Sequence, residues 1–386
     1  MDAEERARRQ AVRRVMAGER AAEVAQALGR TERWVFKWLS RYDPADDGWA
    51  QARSRAPEHV PSRSDPKVEA LVLQVRARLA AQPWSQIGAP AIAWELAKLH
   101  LRMLPELRTI ERILERADTP RRERRVRYAA KGTAYPAAVE RPAPNQIQEG
   151  DLVGPRHLAG AIPFYACNVV DVGRRAAACE LQPNKSDAAT AASLVRIWGR
   201  LGIPTRLKLD NWLVATLHHA LPLVAWLCLE LGVIPVFVPV REPWRQGVIE
   251  HFNDTFDKRF FRSERFRDVR HLTTQLRRFE DFHNTHHRYA AIGRATPAEF
   301  AAKAGFEPRL LEPGFRLPER LPRRGRVEFI RLVRSDRILS VLGEQITLGA
   351  DQVHEYVTAI LHVRRGELEV VHGGKTIKRV DFALRD

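Results

Sequence analysis

Cysteine is scarce in this 386-residue chain, which holds only Cys167, Cys179 and Cys228. Three such residues build no disulfide framework, and none has the paired spacing of zinc ligands. They read as reduced thiols of an intracellular protein. Residues 1–20 contain no apolar signal segment; they are charged and helical in pattern, so secretion is not expected. No phosphate-cradling or dinucleotide glycine loop is present, which leaves an ATPase or a dehydrogenase without support. A tyrosine recombinase needs a nucleophilic Tyr after His-x-x-Arg. The one such spacing, His362-Val363-Arg364-Arg365, has no Tyr after it. Long apolar runs are missing too, with one near-exception. Leu221 to Val240 carries a single charge, Glu230, but Pro222, Gly232, Pro235 and Pro239 punctuate it. It reads as a buried helix (Leu223–Leu231), a turn and a buried strand (Val233–Val238) rather than a membrane span.

What is abundant is positive charge. Sixty-four Lys+Arg against 47 Asp+Glu give a formal charge of +17, and most of the bases are Arg. A polyanion is the natural partner of such a surface. The length suits two to three domains of roughly 150 residues. An apolar content of 45% excludes global disorder.

The N-terminus is helical. Val12, Val15 and Met16 mark one apolar face; Ala21–Leu28 forms a short second helix ended by Gly29; Thr31 can cap a third helix running to about Tyr42. On that helix Val35, Trp38 and Leu39 point inward, while Arg33, Lys37 and Arg41 recur every four residues on another face. A short helix, a glycine turn and a helix with an opposed basic face make a helix-turn-helix; a plain three-helix bundle with a solvated face is the alternative. After a polar linker, Val68, Leu71, Val72, Val75 and Leu79 mark another helix, Pro90 starts a second, and Ile110, Ile113 and Leu114 a third. There Arg108, Arg112 and Arg116 again step by four, like a second DNA-reading helix. A basic run follows (Arg121, Arg122, Arg124, Arg125, Arg127, Lys131). It reads equally as a solvated tether or a phosphate-tracking arm.

From Ile147 the periodicity changes to strands (Phe164–Asp171, Ala176–Leu181), a helix (Ala188–Gly199), a short strand (Arg206–Leu209) and a long helix from about Gln246 to Phe261. This order predicts a mixed α/β sheet. A Pro-rich connector leads to five short strands within Val327–Val371, whose spacing predicts a small closed β barrel. Three acids of the middle region sit where a scaffold could aim them at one point. Asp151 lies on the first strand, Asp210 at a strand's C-terminal end, and Glu250 in the first turns of a helix. Convergent carboxylates suit hard divalent cations. Two Mg²⁺ ions about 3.5–4 Å apart can drive phosphodiester displacement without a side-chain nucleophile.

The residues around these acids carry a resemblance. Pro144-Asn145-Gln146-Ile147-Gln148-Glu149-Gly150-Asp151-Leu152-Val153-Gly154-Pro155, Leu207-Lys208-Leu209-Asp210-Asn211 and Glu242-Pro243-Trp244-Arg245-Gln246-Gly247-Val248-Ile249-Glu250-His251-Phe252-Asn253 are similar, in this order, to the three catalytic segments of retroviral-integrase-like DDE transposases of bacterial insertion sequences. Phe282–Arg288 and Ala295–Phe300 resemble the tail of that core. The resemblance runs over nearly the whole chain. It implies a ribonuclease-H-like catalytic core in a multidomain α/β chain. Asp151, Asp210 and Glu250 would be the metal-binding triad, and Asn211 and Gly247 positioning residues. The cofactor would be Mg²⁺, with Mn²⁺ as a substitute.

The implied activity is cleavage at element ends followed by attack of the 3′ hydroxyl on target DNA. The implied partners are double-stranded DNA and further copies of the chain, in a bacterial cytoplasm and on the nucleoid when bound. The expected organisation is a helix-turn-helix domain (1–60), a second helical domain (61–128), a linker (129–145), the core (146–305), a Pro-rich linker (306–325) and the barrel (326–386). Lys258 and Arg259, on the Glu250 helix, are expected to contact phosphates. The sequence departs from the family at Trp212, where a Gly usually follows Asp-Asn, and at Gln246, where an Asn usually precedes the Gly. A decayed transposase acting as a DNA-binding protein is the alternative, with Trp212 its best support. His283, His286 and His287 lack a fourth partner for zinc and are expected to pack or to contact DNA. Glu149 and Asp171 are expected to be structural or solvated, Trp244 to pack, and Trp212 to pack or to stack on bases.

Overall fold

The computed structural model describes residues 3–52, 63–99, 103–117, 135–136, 141–158, 163–239 and 242–385. These divide into two compact units, Met1–Asp65 and Pro66–Asp386. In the first, α1 (Ala3–Met16), α2 (Ala21–Ala27) and α3 (Glu32–Leu39) enclose Ala11, Val12, Val24, Ala25, Val35 and Trp38. Thr31 caps α3 as its position predicts, its side chain accepting from the Trp34 amide at 3.3 Å. Gly29 holds the turn before it at a left-handed φ of 62°.

The second unit begins with α4 (Pro66–Ala81), α5 (Ala89–Ala97) and α6 (Leu107–Arg116), which share a cluster of Val72, Val75, Leu79, Ile92, Leu96, Ile110 and Ile113. The mixed sheet follows. β1 (Ile147–His157), β2 (Pro163–Asp171) and β3 (Ala177–Gln182) form an antiparallel meander. Next come α7 (Asp187–Leu201), β4 (Arg206–Leu209), α8 (Leu223–Glu230) and β5 (Ile234–Phe237), with β4 parallel to β1 and β5 parallel to β4. A 3-10 turn at Pro243–Gln246 leads into α9 (Gly247–Thr255), which continues as a π-helical turn over Phe256–Phe261. The chain goes on through α10 (Val269–His286) and α11 (Pro297–Lys303).

Strand alternation sorts the core into two layers. Cys167, Val169, Leu207, Leu209 and Phe237 face Leu194, Ile197, Trp198, Val224 and Leu227 of α7 and α8. Phe164, Ala166, Val170 and Cys179 face Ile249, Phe252, Phe256, Phe260, Leu276 and Phe279 on the other side. Among the described residues no helix is long and apolar enough to cross a membrane.

The expected C-terminal barrel is not formed. The strands there are β6 (Arg326–Leu332), β7 (Ile338–Val341), β8 (Glu344–Thr347), β9 (Tyr356–His362), β10 (Glu367–His372) and β11 (Lys375–Asp381). β6 pairs in parallel with β5, and β9, β10 and β11 continue outward, so one open nine-stranded sheet runs β11-β10-β9-β6-β5-β4-β1-β2-β3. β7 and β8 make a separate hairpin. The alternation that suggested a barrel instead buries a single face. Val327, Phe329, Val357, Ala359 and Leu361 join the cluster of Trp198 and Phe237, and Phe329 stacks on Phe237 at 5.3 Å. The Pro-rich connector also lies on this core, with Leu311 and Leu321 buried in the cluster and the Leu311 amide bonded to Trp198 O.

Candidate active site

β1 and β4 run side by side with Glu149 opposite Lys208. Two residues farther along the chain from each stand Asp151, still on β1, and Asp210, just past the end of β4. Both acids thus lie just beyond the end of the parallel β1–β4 pairing, on the side where open α/β sheets hold ligands. Asp151 is half-buried; its Oδ1 accepts from the Leu152 amide at 2.8 Å and its Oδ2 from Asn253 Nδ2 at 2.7 Å. Burial, and less strongly the Asp210 charge, push its carboxyl above the usual range, partly offset by those two bonds. Asp210 is exposed and caps the 3-10 turn Asn211–Leu213 through the Asn211 amide at 2.7 Å. Asn211 is buried; its side-chain amide donates to Val238 O, tying the end of β4 to the end of β5.

Glu250 lies exposed in the first turn of α9. Asn253, three residues on and therefore on a neighbouring part of the helix surface, fastens that helix to Asp151. Asn253 Oδ1 in turn accepts from Asn168 Nδ2 at 2.9 Å, and Asn168 sits opposite Asp151 on β2. The structure therefore sets Asp151 and Asp210 side by side and pins α9 against them. It does not gather all three acids into a metal cage: among the described residues, no group of three or more His, Cys, Asp or Glu is placed to hold a metal ion. The oxygen chemistry of Asp151 and Asp210 fits a hard cation, but the third ligand does not stand ready beside them. An added Cβ at Gly247 would meet only open space, and its φ of −63° is open to any residue, so no packing among the described residues demands a glycine there.

Three supporting residues escaped the sequence reading as site components. Of the two expectations for Glu149, structural or solvated, the structural one holds: it is buried. Its Oε2 accepts from the Val248 and Ile249 amides at the start of α9, at 3.1 and 3.0 Å, and its Oε1 pairs with Lys208 Nζ at 2.7 Å. Strand parity was the available signal, since Glu149 and Lys208 each precede an acid by two. The third is Tyr356 of β9, whose hydroxyl donates to Glu242 Oε2 at 2.6 Å and accepts from Arg245 Nη2 at 2.8 Å. The Arg245 guanidinium also lies 4.2 and 4.7 Å from the Tyr135 and Tyr356 rings. The strands beyond the connector thereby hold the turn that launches α9. Asp171 is buried and structural, bonded to Arg174 and to the Asn145 and Gly173 amides.

The candidate DNA contacts divide. On α3, which ends at Leu39 rather than near Tyr42, Arg33 and Lys37 are exposed; Arg41, in the turn after it, is half-buried, and none of the three has a carboxylate partner among the described residues. On α6, Arg108 pairs with Glu111 at 3.3 Å and Arg116 with Glu69, while Arg112 has no carboxylate partner among the described residues. Lys258 pairs with Asp254 at 2.7 Å, and Arg259 donates to Ser85 O. Arg121, Arg122, Arg124 and Arg125 lie outside the described residues, as does the side chain of Trp244. Trp212 packs against the main core cluster. His283 and His287 are buried and bond backbone carbonyls of Arg175 and Trp84, at 3.1 and 2.8 Å, as packing residues do. The ring of His286 stacks on Phe282 at 4.4 Å.

Residues 2–49 match the family model of a homeodomain-like domain, and residues 231–297 match that of an integrase core domain. Among solved structures, the HTLV-2 integrase catalytic core in complex with magnesium is 14% identical. It covers 42% of this chain and 98% of its own, with a TM-score of 0.32. The catalytic core of BIV integrase is 17% identical, with coverages of 42% and 96% and a TM-score of 0.32. A chain of the simian T-cell lymphotropic virus intasome is 15% identical, covers 76% of this chain and 97% of its own, and has a TM-score of 0.36. Within one chain, then, residues 2–49, with the capped and basic α3, are similar to a homeodomain-like domain, and residues 231–297, around α9, to an integrase core domain.

Proposed function

We propose that the chain is a DNA transposase. In this reading α3 binds element ends, and the sheet end bearing Asp151, Asp210 and Glu250 carries metal-dependent strand cleavage and 3′-hydroxyl strand transfer. The observation that supports it most is the β1–β4 register, which puts Asp151 and Asp210 on one face of neighbouring strand ends, with Glu250 carried on the helix that Asn253 fastens to Asp151. A divalent cation, Mg²⁺ or Mn²⁺, one or two in number, would polarise the phosphodiester and ease deprotonation of the attacking hydroxyl. The chain's own residues do the positioning. Asn253 holds Asp151, Glu149 holds the start of α9, and the bare backbone at Gly247 leaves room for a DNA strand to come close. Pairing two element ends calls for at least two copies of the chain, acting in the bacterial cytoplasm on the nucleoid.

The deciding experiment is cleavage of the DNA flanking the gene in Mg²⁺ or Mn²⁺. Wild type should nick at the element ends, whereas Asp210→Asn and Glu250→Gln should bind those ends and not cut. Equal nicking by the variants would remove the triad assignment. A second reading, a DNA-binding protein without catalysis, is favoured by the absence of a ready three-acid group among the described residues and by the packed Trp212 ring beside Asn211. Tight end binding with no cut in either metal would select it.

A further inference from the structure

Alpha helix α3 is eight residues long, and its sequence alternates what the core needs with what it does not. Val35 and Trp38 are buried. The opposite face is Arg33, Phe36, Lys37 and Ser40, all four exposed. Phe36 is the anomaly: a phenyl ring 55% exposed in the middle of a basic face. Ring burial is worth roughly 1.5–3 kcal/mol to a fold, and this fold forgoes most of it. The neighbouring cations are unneutralised as well. Arg8, Arg9 and Arg14 of α1 have carboxylate partners at 4.0, 3.0 and 2.5 Å, whereas Arg33 and Lys37 have none among the described residues; the Lys37 ammonium lies 5.6 Å from the Trp38 ring. An aromatic flanked by uncompensated cations is poorly matched to an ordinary protein surface. It is well matched to a DNA major groove, where phosphates line the walls and thymine methyls line the floor.

Spacing supports the same occupant. Homeodomain-type recognition helices read bases from positions i, i+3, i+4 and i+7. With Arg33 as the first, the set is Arg33, Phe36, Lys37 and Ser40, the exposed face itself. We infer that Phe36 is a specificity-determining residue that reads thymine 5-methyl groups in the major groove of duplex DNA, between Arg33 and Lys37. This rests on the DNA-binding part of the proposed function and adds the base it prefers.

The test uses the full chain and a randomised 20-base-pair duplex pool. Selected duplexes are resynthesised with deoxyuridine in place of each thymidine in turn, which removes only the methyl group. Wild type should lose about fourfold affinity at one or two positions, the value of one buried methyl. Phe36→Ala should bind the thymidine and deoxyuridine forms equally and select a pool without those thymines. Sequence-specific binding by wild type that ignores every methyl overturns this inference and leaves the DNA-binding reading standing. So does a Phe36→Ala variant that keeps the same methyl preference. Failure of the chain to select any duplex overturns both.

Discussion

The pair Glu149–Lys208 predicts how firmly β1 holds α9. The Glu149 side chain is 4% exposed and that of Lys208 18%, so this is a buried ion pair. Glu149→Ala deletes two charge-assisted bonds to the start of α9 and leaves the Lys208 ammonium, among the described residues, with Arg245 O at 2.8 Å. Removing one partner of a buried pair costs roughly 3–5 kcal/mol, and this site should fall near about 4. Lys208→Met leaves the carboxylate with both amides and the positive end of the helix, which offset part of its desolvation. Its cost should be about 2 kcal/mol. The double variant contains no unpaired charge, and only the amide cap remains lost. It should cost about 3 kcal/mol, well under the sum of the singles. At roughly 2 °C per kcal/mol for a unit of this size, Glu149→Ala should melt about 8 °C below wild type and the double variant about 6 °C below. The assay is urea and thermal unfolding of the four proteins at one pH, with end cleavage measured alongside. If the double variant equals the sum of the singles to within about 0.5 kcal/mol, the two groups are uncoupled and the account of how α9 is anchored is wrong.

Other consequences follow from the packing. Trp84, at a left-handed φ of 64°, sets its ring against Phe260, Phe279 and Phe282 at 6.2, 5.9 and 5.9 Å. Trp84→Ala should therefore cost about 3 kcal/mol and open the segment between α4 and α5 to thermolysin; unchanged digestion would show that the ring anchors nothing. Burial holds His283 well below the usual histidine range and lowers His287 to about 4. These imidazoles stay neutral in the fold where an unfolded histidine, titrating near 6.5, takes up a proton. The unfolded chain then binds more protons, so stability falls as pH drops below about 6.5 toward 4. The two together should lose about 3 kcal/mol by pH 5.5, and a melting temperature that stays flat from pH 7.5 to 5.5 would contradict their burial in the neutral form. Truncation after Gly325 should yield insoluble protein rather than an active core, because it uncovers Phe237 and the edge of β5; a soluble, cooperatively melting fragment would refute the shared core.

Local chemistry made much of this legible. Apolar periodicity marked α7, β4, α8 and β5 to within a few residues, and Thr31 announced the start of α3. The family resemblance of the segments around Asp151 and Asp210 grouped these two acids before their register was known. What stayed hidden is non-local. Alternation in Val327–Val333 tells which side chains are buried, but not whose backbone the strand pairs with, so a self-closing barrel and an extension of β5 read alike. The insertion of Trp84 among phenylalanines more than 170 residues later has no local signature either. Glu149 was within reach, since face parity with Asp151 puts it on the site side of β1, where a buried acid needs partners.

Why the sheet stays open can be read from its two edges. An open sheet presents unpaired N–H and C=O groups that invite another strand. At β3 these groups are met by side chains instead of a strand. Asn284 accepts from the Ala177 amide and donates to the Ala177 carbonyl, both at 2.9 Å. Glu280 accepts from the Cys179 amide at 3.0 Å, and Arg277 donates to the Cys179 carbonyl at 2.5 Å. Residues 277, 280 and 284 share one face of α10, so that face stands in for a tenth strand. At the far edge β11 is almost wholly exposed and carries Lys375, Lys378 and Arg379, charges that discourage further pairing. With one edge satisfied by α10 and the other charged, closure would gain little. The added strands serve instead to bury the far side of β5 and, through Tyr356, to hold the turn that aims α9 at Asp151 and Asp210.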